Sequence, residues 1–157
     1  MKQCQTRNFN KISQVKHTIM SRQVDFYITQ KTSFDELGDL CLKLILKAYH
    51  HRFSLDVRFD SEALTRTMDC KLWNHDRDSF TPHEISKTFT NTIHVAPLSG
   101  KRSVAMINCS GSSDIAHNDW VRLLQIVPNQ QPLLEQARQQ YRHYKQLGYN
   151  VNTHKIG

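Results

Sequence analysis

No apolar run in the sequence approaches the roughly 18–20 residues needed to span a bilayer; its apolar residues come in short periodic groups. A membrane protein is therefore not expected. The first twenty residues, Met1 to Met20, are basic and free of acids. They lack the apolar core and small-residue cleavage site of a secretory signal, so residence in the cytoplasm is expected. Glycine is scarce, with five in the chain, and the turn after the first predicted strand, Thr29-Gln30-Lys31-Thr32-Ser33, has none. Without glycine the backbone cannot approach a pyrophosphate closely at a helix N-terminus, which argues against a dinucleotide enzyme. There is no Walker-type lysine loop, and Gly111 in Ser110-Gly111-Ser112-Ser113 does not complete a nucleophile elbow. No catalytic residue and no cofactor is expected.

Cys4, Cys41, Cys70 and Cys109 form no CxxC pair. They read as reduced, partly buried thiols rather than a disulfide framework or a zinc site. Of the nine histidines, the adjacent His50 and His51 would point about 100° apart on a helix. His75, Asp76, Asp78 and His83 have no recognisable ligand spacing. Surface and loop histidines are expected, and no metal.

The formal charge of +7 divides unevenly along the chain: +4 falls in the first twenty residues, −1 between Arg22 and Asp119, and +4 from Arg122 onward. The globular body is thus not uniformly basic. A positive terminal helix suits an acidic partner, either a phosphate backbone or an acidic peptide.

At 157 residues one domain is expected. Residues 1–19 are polar without a sustained period and read as a disordered basic extension, consistent with Met20 as the true start; a functional basic arm is the alternative. The domain proper then covers 20–157. Val24–Ile28 alternates as a first strand. Ser33 and Glu36 form a capping box before a helical stripe from Leu37 to Ala48. Phe53–Phe59 alternates as a second strand, and Asp60 or Ser61 caps a helix through Leu64, Met68 and Leu72. Residues 74–90 show no period and read as a loop. Thr92–Ala96 and Ser103–Asn108 read as strands around a turn at Leu98–Lys101, Ser110–Asn118 as a loop, and Trp120–Val127 as a strand. Pro132 opens and Gly148 closes a final helix with Leu133, Ala137, Tyr141, Tyr144 and Leu147 as its stripe, and Tyr149–Asn152 reads as a short last strand. This alternation predicts an α/β, Rossmann-like single domain with a mostly parallel sheet flanked by helices.

Two groups of residues stand out as binding candidates. On the final helix Leu134, Arg138, Tyr141 and Arg142 share one broad face, placing two guanidinium groups beside an aromatic ring. Such a face can clamp carboxylates while the ring holds an apolar side chain; a solvated charged face is the plain alternative. Trp73 and Phe80 flank an aspartate-rich loop and suit either core packing or an interface anchor.

Phe26-Tyr27, Leu72-Trp73, Ser79-Phe80-Thr81-Pro82-His83 and the closing run through Val127-Pro128, Ala137-Arg138, Tyr141, Tyr144, Gly148, Asn150 and Asn152-Thr153 resemble the chi subunit family of DNA polymerase III. The resemblance covers about residues 20–157. It implies a non-catalytic adaptor in DNA replication with two partners: the psi subunit of the clamp loader and the acidic C-terminal tail of single-stranded DNA-binding protein. By motif, Val127, Arg138, Tyr141, Arg142 and Thr153 line the tail pocket with Trp73 nearby, while Phe80 and Ile85 contact psi. Leu134 departs from the family pattern, where a lysine stands, and Arg142 replaces a lysine. The resemblance further implies a heterodimer rather than a homo-oligomer, DNA reached mainly indirectly, and a helicase as an alternative occupant near the psi surface. Direct nucleic-acid binding is the competing expectation.

Overall fold

The computed structural model of the chain describes residues 22–95, 105–110 and 120–157. The expected extension at 1–19, the turn at 98–101 and most of the loop at 110–118 lie outside the described residues. Ten elements follow in order: β1 Gln23–Thr29, α1 Phe34–His50, β2 Leu55–Arg58, α2 Glu62–Asn74, β3 His83–Ile85, β4 Thr92–Val95, β5 Ala105–Asn108, β6 Arg122–Pro128, α3 Leu133–Gln146 and β7 Asn150–Ile156. The strands form one sheet ordered β3-β4-β2-β5-β6-β1-β7. Strands β2, β5, β6, β1 and β7 pair in parallel, and the hairpin-like β3 and β4 join antiparallel at one edge.

Alternation along the strands sorts side chains to two faces. Leu55, Val57, Ile93, Val95, Ile107, Leu124 and Ile126 meet Leu40, Cys41 and Ile45 of α1 and Met68 and Leu72 of α2. Val24, Phe26, Met106, Leu123, Val127 and Val151 meet Ala137 and Tyr144 of α3. Two helices thus cover one face and the third helix the other.

The helix ends follow from their sequence. Ser33 Oγ accepts from the Glu36 amide at 3.3 Å and donates to the Glu36 carboxylate at 2.9 Å, satisfying one of the four orphan amides of α1. Ser61, not Asp60, caps α2 by accepting from the Leu64 amide at 3.3 Å. After α3 the chain turns through Gly148 at φ +80, a left-handed conformation that costs glycine least.

Three expectations are corrected. The segment 74–90 is not entirely loop, because β3 pairs with β4; three residues are too few to display a period. The last strand runs to Ile156 and matches β1 at seven positions. Its polar run Asn152-Thr153-His154-Lys155 conceals this, since an edge strand with few buried side chains needs little apolar alternation. Leu147 is not part of the buried stripe of α3: it is half-exposed at the C-cap, and the inner face carries Ala137, Gln140 and Tyr144.

Two carboxylates among the described residues are buried in the sheet, Asp56 on β2, which meets His94 Nδ1 of β4, and Asp25 on β1. Asp25 accepts from Arg122 Nε at 3.0 Å, His154 Nε2 at 3.0 Å, Asn152 Nδ2 at 3.2 Å and Gln23 Nε2 at 2.8 Å. Burial alone raises its pKa, but the His154 hydrogen bond, the Arg122 charge and the Asn152 amide outweigh it and hold Asp25 below the ordinary carboxylate range.

Candidate interaction surfaces

The first surface lies where α3 crosses the β1–β7 edge. Phe26 of β1 is in register with Thr153 of β7, and the Phe26 ring is 6.0 Å from that of Tyr141. Val127 is buried in the same cluster, with Leu134 and Tyr141 packed partly buried against it. Above this apolar floor Arg138 and Arg142 are exposed. Arg138 Nη1 meets Glu135 at 3.3 Å across an exposed ion pair, which contributes little and is readily exchanged. Lys145 lies 5.8 Å over the Tyr141 ring. Val127 of β6 and Tyr141 of α3 thus share one apolar cluster, Thr153 stands on the β7 edge opposite Phe26, and the two arginines are exposed on α3 beside them. Chemically it places guanidinium donors beside a partly buried aromatic ring, a combination suited to a carboxylate next to an aromatic or aliphatic side chain.

Trp73 does not join that group. At the end of α2 its ring stands 5.2 Å from Phe80 and 5.0 Å from His83, beside β3 at the opposite edge of the sheet. Trp73 and Phe80 are 56% and 58% exposed, and Ile85 and Phe89 are also exposed. The pair is therefore not core packing, and it forms a candidate interaction patch.

The support under this platform escaped the sequence reading. The His83 side chain is fully buried, its Nδ1–H donates to the Thr81 carbonyl at 2.6 Å, and its Nε2 lies 3.3 Å from Asp69 Oδ1. That last contact is off hydrogen-bond geometry, leaving Nε2 buried without a hydrogen-bond partner among the described residues. The imidazole props Trp73 from beneath and ties the 79–83 segment to α2. The only signal in the sequence was its place in the Ser79–His83 run. The other nominated histidines serve their own helices: His50 Nδ1 and His75 Nδ1 lie 2.6 Å and 2.7 Å from the carbonyls of Leu46 and Leu72.

Two further features are invisible to sequence periodicity. Cys41 and Cys109, 68 residues apart, hold their Sγ atoms 3.1 Å from one another. The hydrogen bond shared with Cys41 and burial push the Cys109 thiol well up, so it is no ready nucleophile at neutral pH. The thiols line a cavity at the carboxyl ends of β5 and β6. No helix among the described residues is long and apolar enough to cross a membrane.

Comparison with known proteins agrees with this architecture. The profile of the family described as DNA polymerase III chi subunit, HolC, matches residues 20–152. The DNA polymerase III subunit chi of Haemophilus influenzae is 24% identical over 145 residues, covering 88% of this chain and all of the relative. That of Pseudomonas aeruginosa is 20% identical over 137 residues, covering 85% of this chain and 96% of the relative. The span of these matches places the chain in the DNA polymerase III chi subunit family, as an accessory subunit of the replicative polymerase.

Proposed function

We propose that the chain is a non-catalytic adaptor that links the clamp loader, through the psi subunit, to the acidic C-terminal tail of single-stranded DNA-binding protein. The observation that carries this reading is the separation of the two candidate surfaces. The basic seat of Arg138, Tyr141 and Arg142 lies at the β7 edge and the Trp73–Phe80 platform at the β3 edge, with five strands between the edge strands. An adaptor must hold two partners at once, and opposite edges of a rigid sheet let it do so without mutual exclusion.

The chemistry of each surface supports a different partner. The α3 edge offers charge-assisted donors around a small apolar seat, the complement of an acidic tail ending in an aromatic carboxylate. The β3 edge offers the exposed rings of Trp73 and Phe80 rimmed by the exposed Asp76, Arg77, Asp78 and Glu84, the complement of an amphipathic segment of psi, and a competing helicase would use that same platform. The mechanism is tethering. Several tails on one DNA-bound assembly raise the effective concentration of a weak single contact.

The test is a titration of a labelled acidic peptide ending in Pro-Phe, alongside a psi pulldown, with Phe80→Ala and Arg138→Ala variants. The adaptor reading expects each variant to lose one partner and keep the other. Loss of affinity for bare single-stranded DNA in Arg138→Ala, with peptide affinity unchanged, would favour direct nucleic-acid binding instead.

A further inference from the structure

A cavity of about 300 Å³ opens at the carboxyl ends of β5 and β6 and is bordered by all three helices. Connections leave β1 and β6, which are neighbours, toward opposite faces of the sheet, and such a switch point is where open α/β sheets hold ligands. The cavity uses the α3 flank bearing Leu133, Gln136, Ala137 and Gln140, not the flank of Arg138 and Arg142. It shares Val127 with the seat under Tyr141 but opens on the opposite flank of α3, and it lies away from the Trp73–Phe80 platform.

Most of its wall is apolar, with Leu37, Phe59, Leu64, Met68 and Ile126 prominent. Two carboxamides interrupt it. Ser110 Oγ donates to Asn108 Oδ1 at 2.7 Å, and Asn108 Nδ2 donates to Gln125 Oε1 at 3.1 Å. This buried chain fixes Gln125 in orientation and leaves its Nε2 donors unspent among the described residues. Gln140, also lining the cavity, is nine-tenths buried and has no hydrogen-bond partner among the described residues. Neither carboxamide is sealed, because among the described residues the one buried side-chain polar atom without a partner is His83 Nε2; the free amide groups of Gln125 and Gln140 still reach solvent, and a ligand with matching groups can replace that water.

We propose that this cavity binds a small planar heterocycle whose edge carries a hydrogen-bond acceptor beside a donor, the chemistry of a nucleobase. Gln125 presents a donor and Gln140 can present both a donor and an acceptor, so the complementary edge accepts at one atom and donates at the next. Both side chains are neutral, which selects a neutral edge. The sulfurs of Cys41, Cys109 and Met68 on the wall give polarizable contact suited to the face of an aromatic ring. The volume lies at the small end of ligand sites, about 300–1,000 Å³, enough for a base with its sugar at the mouth. Lys71 at the rim is engaged by Asp39 at 3.0 Å, and the β1–α1 turn lacks glycine, so phosphates are not gripped. The base arrives either on a free nucleoside or as an unstacked base of single-stranded DNA.

The experiment is independent of the adaptor reading. The full chain, labelled with ¹⁵N, is titrated with thymidine, uridine, adenosine and guanosine, and separately with a short oligothymidylate. The expected result is a saturable shift of the amides around Cys109, Gln125 and Gln140 with at least one nucleoside. Gln140→Leu should weaken that binding about tenfold, the scale of one lost buried hydrogen bond, and Leu64→Trp, which fills the cavity, should abolish it. Thermal melts establish that each variant is folded, and if one is not, the other is read against wild type. A nucleoside response that the oligonucleotide fails to reproduce assigns the site to free nucleosides; shifts with both assign it to the base wherever it is carried. Absence of any saturable shift in the wild-type cavity overturns the proposal, as does equal affinity in folded Gln140→Leu.

Discussion

Asp25 Oδ1 lies 3.0 Å from His154 Nε2, joining the middle of the first strand to the end of the last across 129 residues of sequence. The carboxylate is 1% exposed while the imidazole is 45% exposed, so a buried charge is held by groups that reach solvent. The sheet is locked there by charge rather than by apolar contact alone.

That lock has a pH signature. Because the folded Asp25 has a pKa below its unfolded value, the stability it contributes is fully present above about pH 4 and is lost as pH falls through the lower, folded value. Asp25→Asn should cost about 1–2 kcal/mol near pH 7: the hydrogen bonds from His154 and Asn152 lose their charged acceptor, while Arg122, 40% exposed, remains solvated. Thermal melts of wild type and variant should show that difference shrinking as pH falls below 4; a constant difference would show that Asp25 does not carry the lock.

Phe80→Ala should weaken psi binding by about 2 kcal/mol, the scale of an interface hot spot, and leave tail-peptide binding unchanged. Trp73→Ala should behave like Phe80→Ala, because the two rings form one platform. Pulldown with psi, beside peptide titration, separates the outcomes. A Trp73 variant that loses only the peptide would return that residue to the tail seat.

Arg138→Ala should reduce tail-peptide affinity by about 2 kcal/mol or more, whereas Arg142→Ala should cost less and chiefly flatten the salt dependence. Peptide titrations at two ionic strengths resolve the two contributions. Equal losses with equal salt slopes would mean that neither arginine holds the carboxylate in preference to the other.

Removal of residues 1–19 should leave the melting temperature within a few degrees of the full chain, since that stretch has no apolar period with which to join a core. A large drop on truncation would show that it packs on the domain.

Legibility in the sequence tracked the range of the physics involved. Ser33 and Glu36 announced α1 because a capping box is made within four residues, and Pro132 and Gly148 bracketed α3 for the same reason. Strand β3 was hidden because its existence depends on pairing with β4, and the full length of β7 because β1 supplies its hydrogen bonds. The α3 face of Arg138, Tyr141 and Arg142 could be read from helical spacing alone. Trp73 could not be assigned to an edge, because that depends on where the end of α2 meets β3. Gln125 and Gln140 look like ordinary polar residues until the fold closes apolar walls around them.

Strand β1 is flanked on both sides by the last two strands to be made, β6 and β7. During synthesis Val24, Phe26 and Ile28 must therefore wait, unpaired, until nearly the entire chain has left the ribosome. Contacts this distant in sequence slow folding and prolong exposure of a sticky edge. The nascent chain should consequently depend on holding chaperones most heavily before α3 emerges, and ribosome stalling placed upstream of β6 should yield a protease-sensitive chain even though α1 and α2 are already complete.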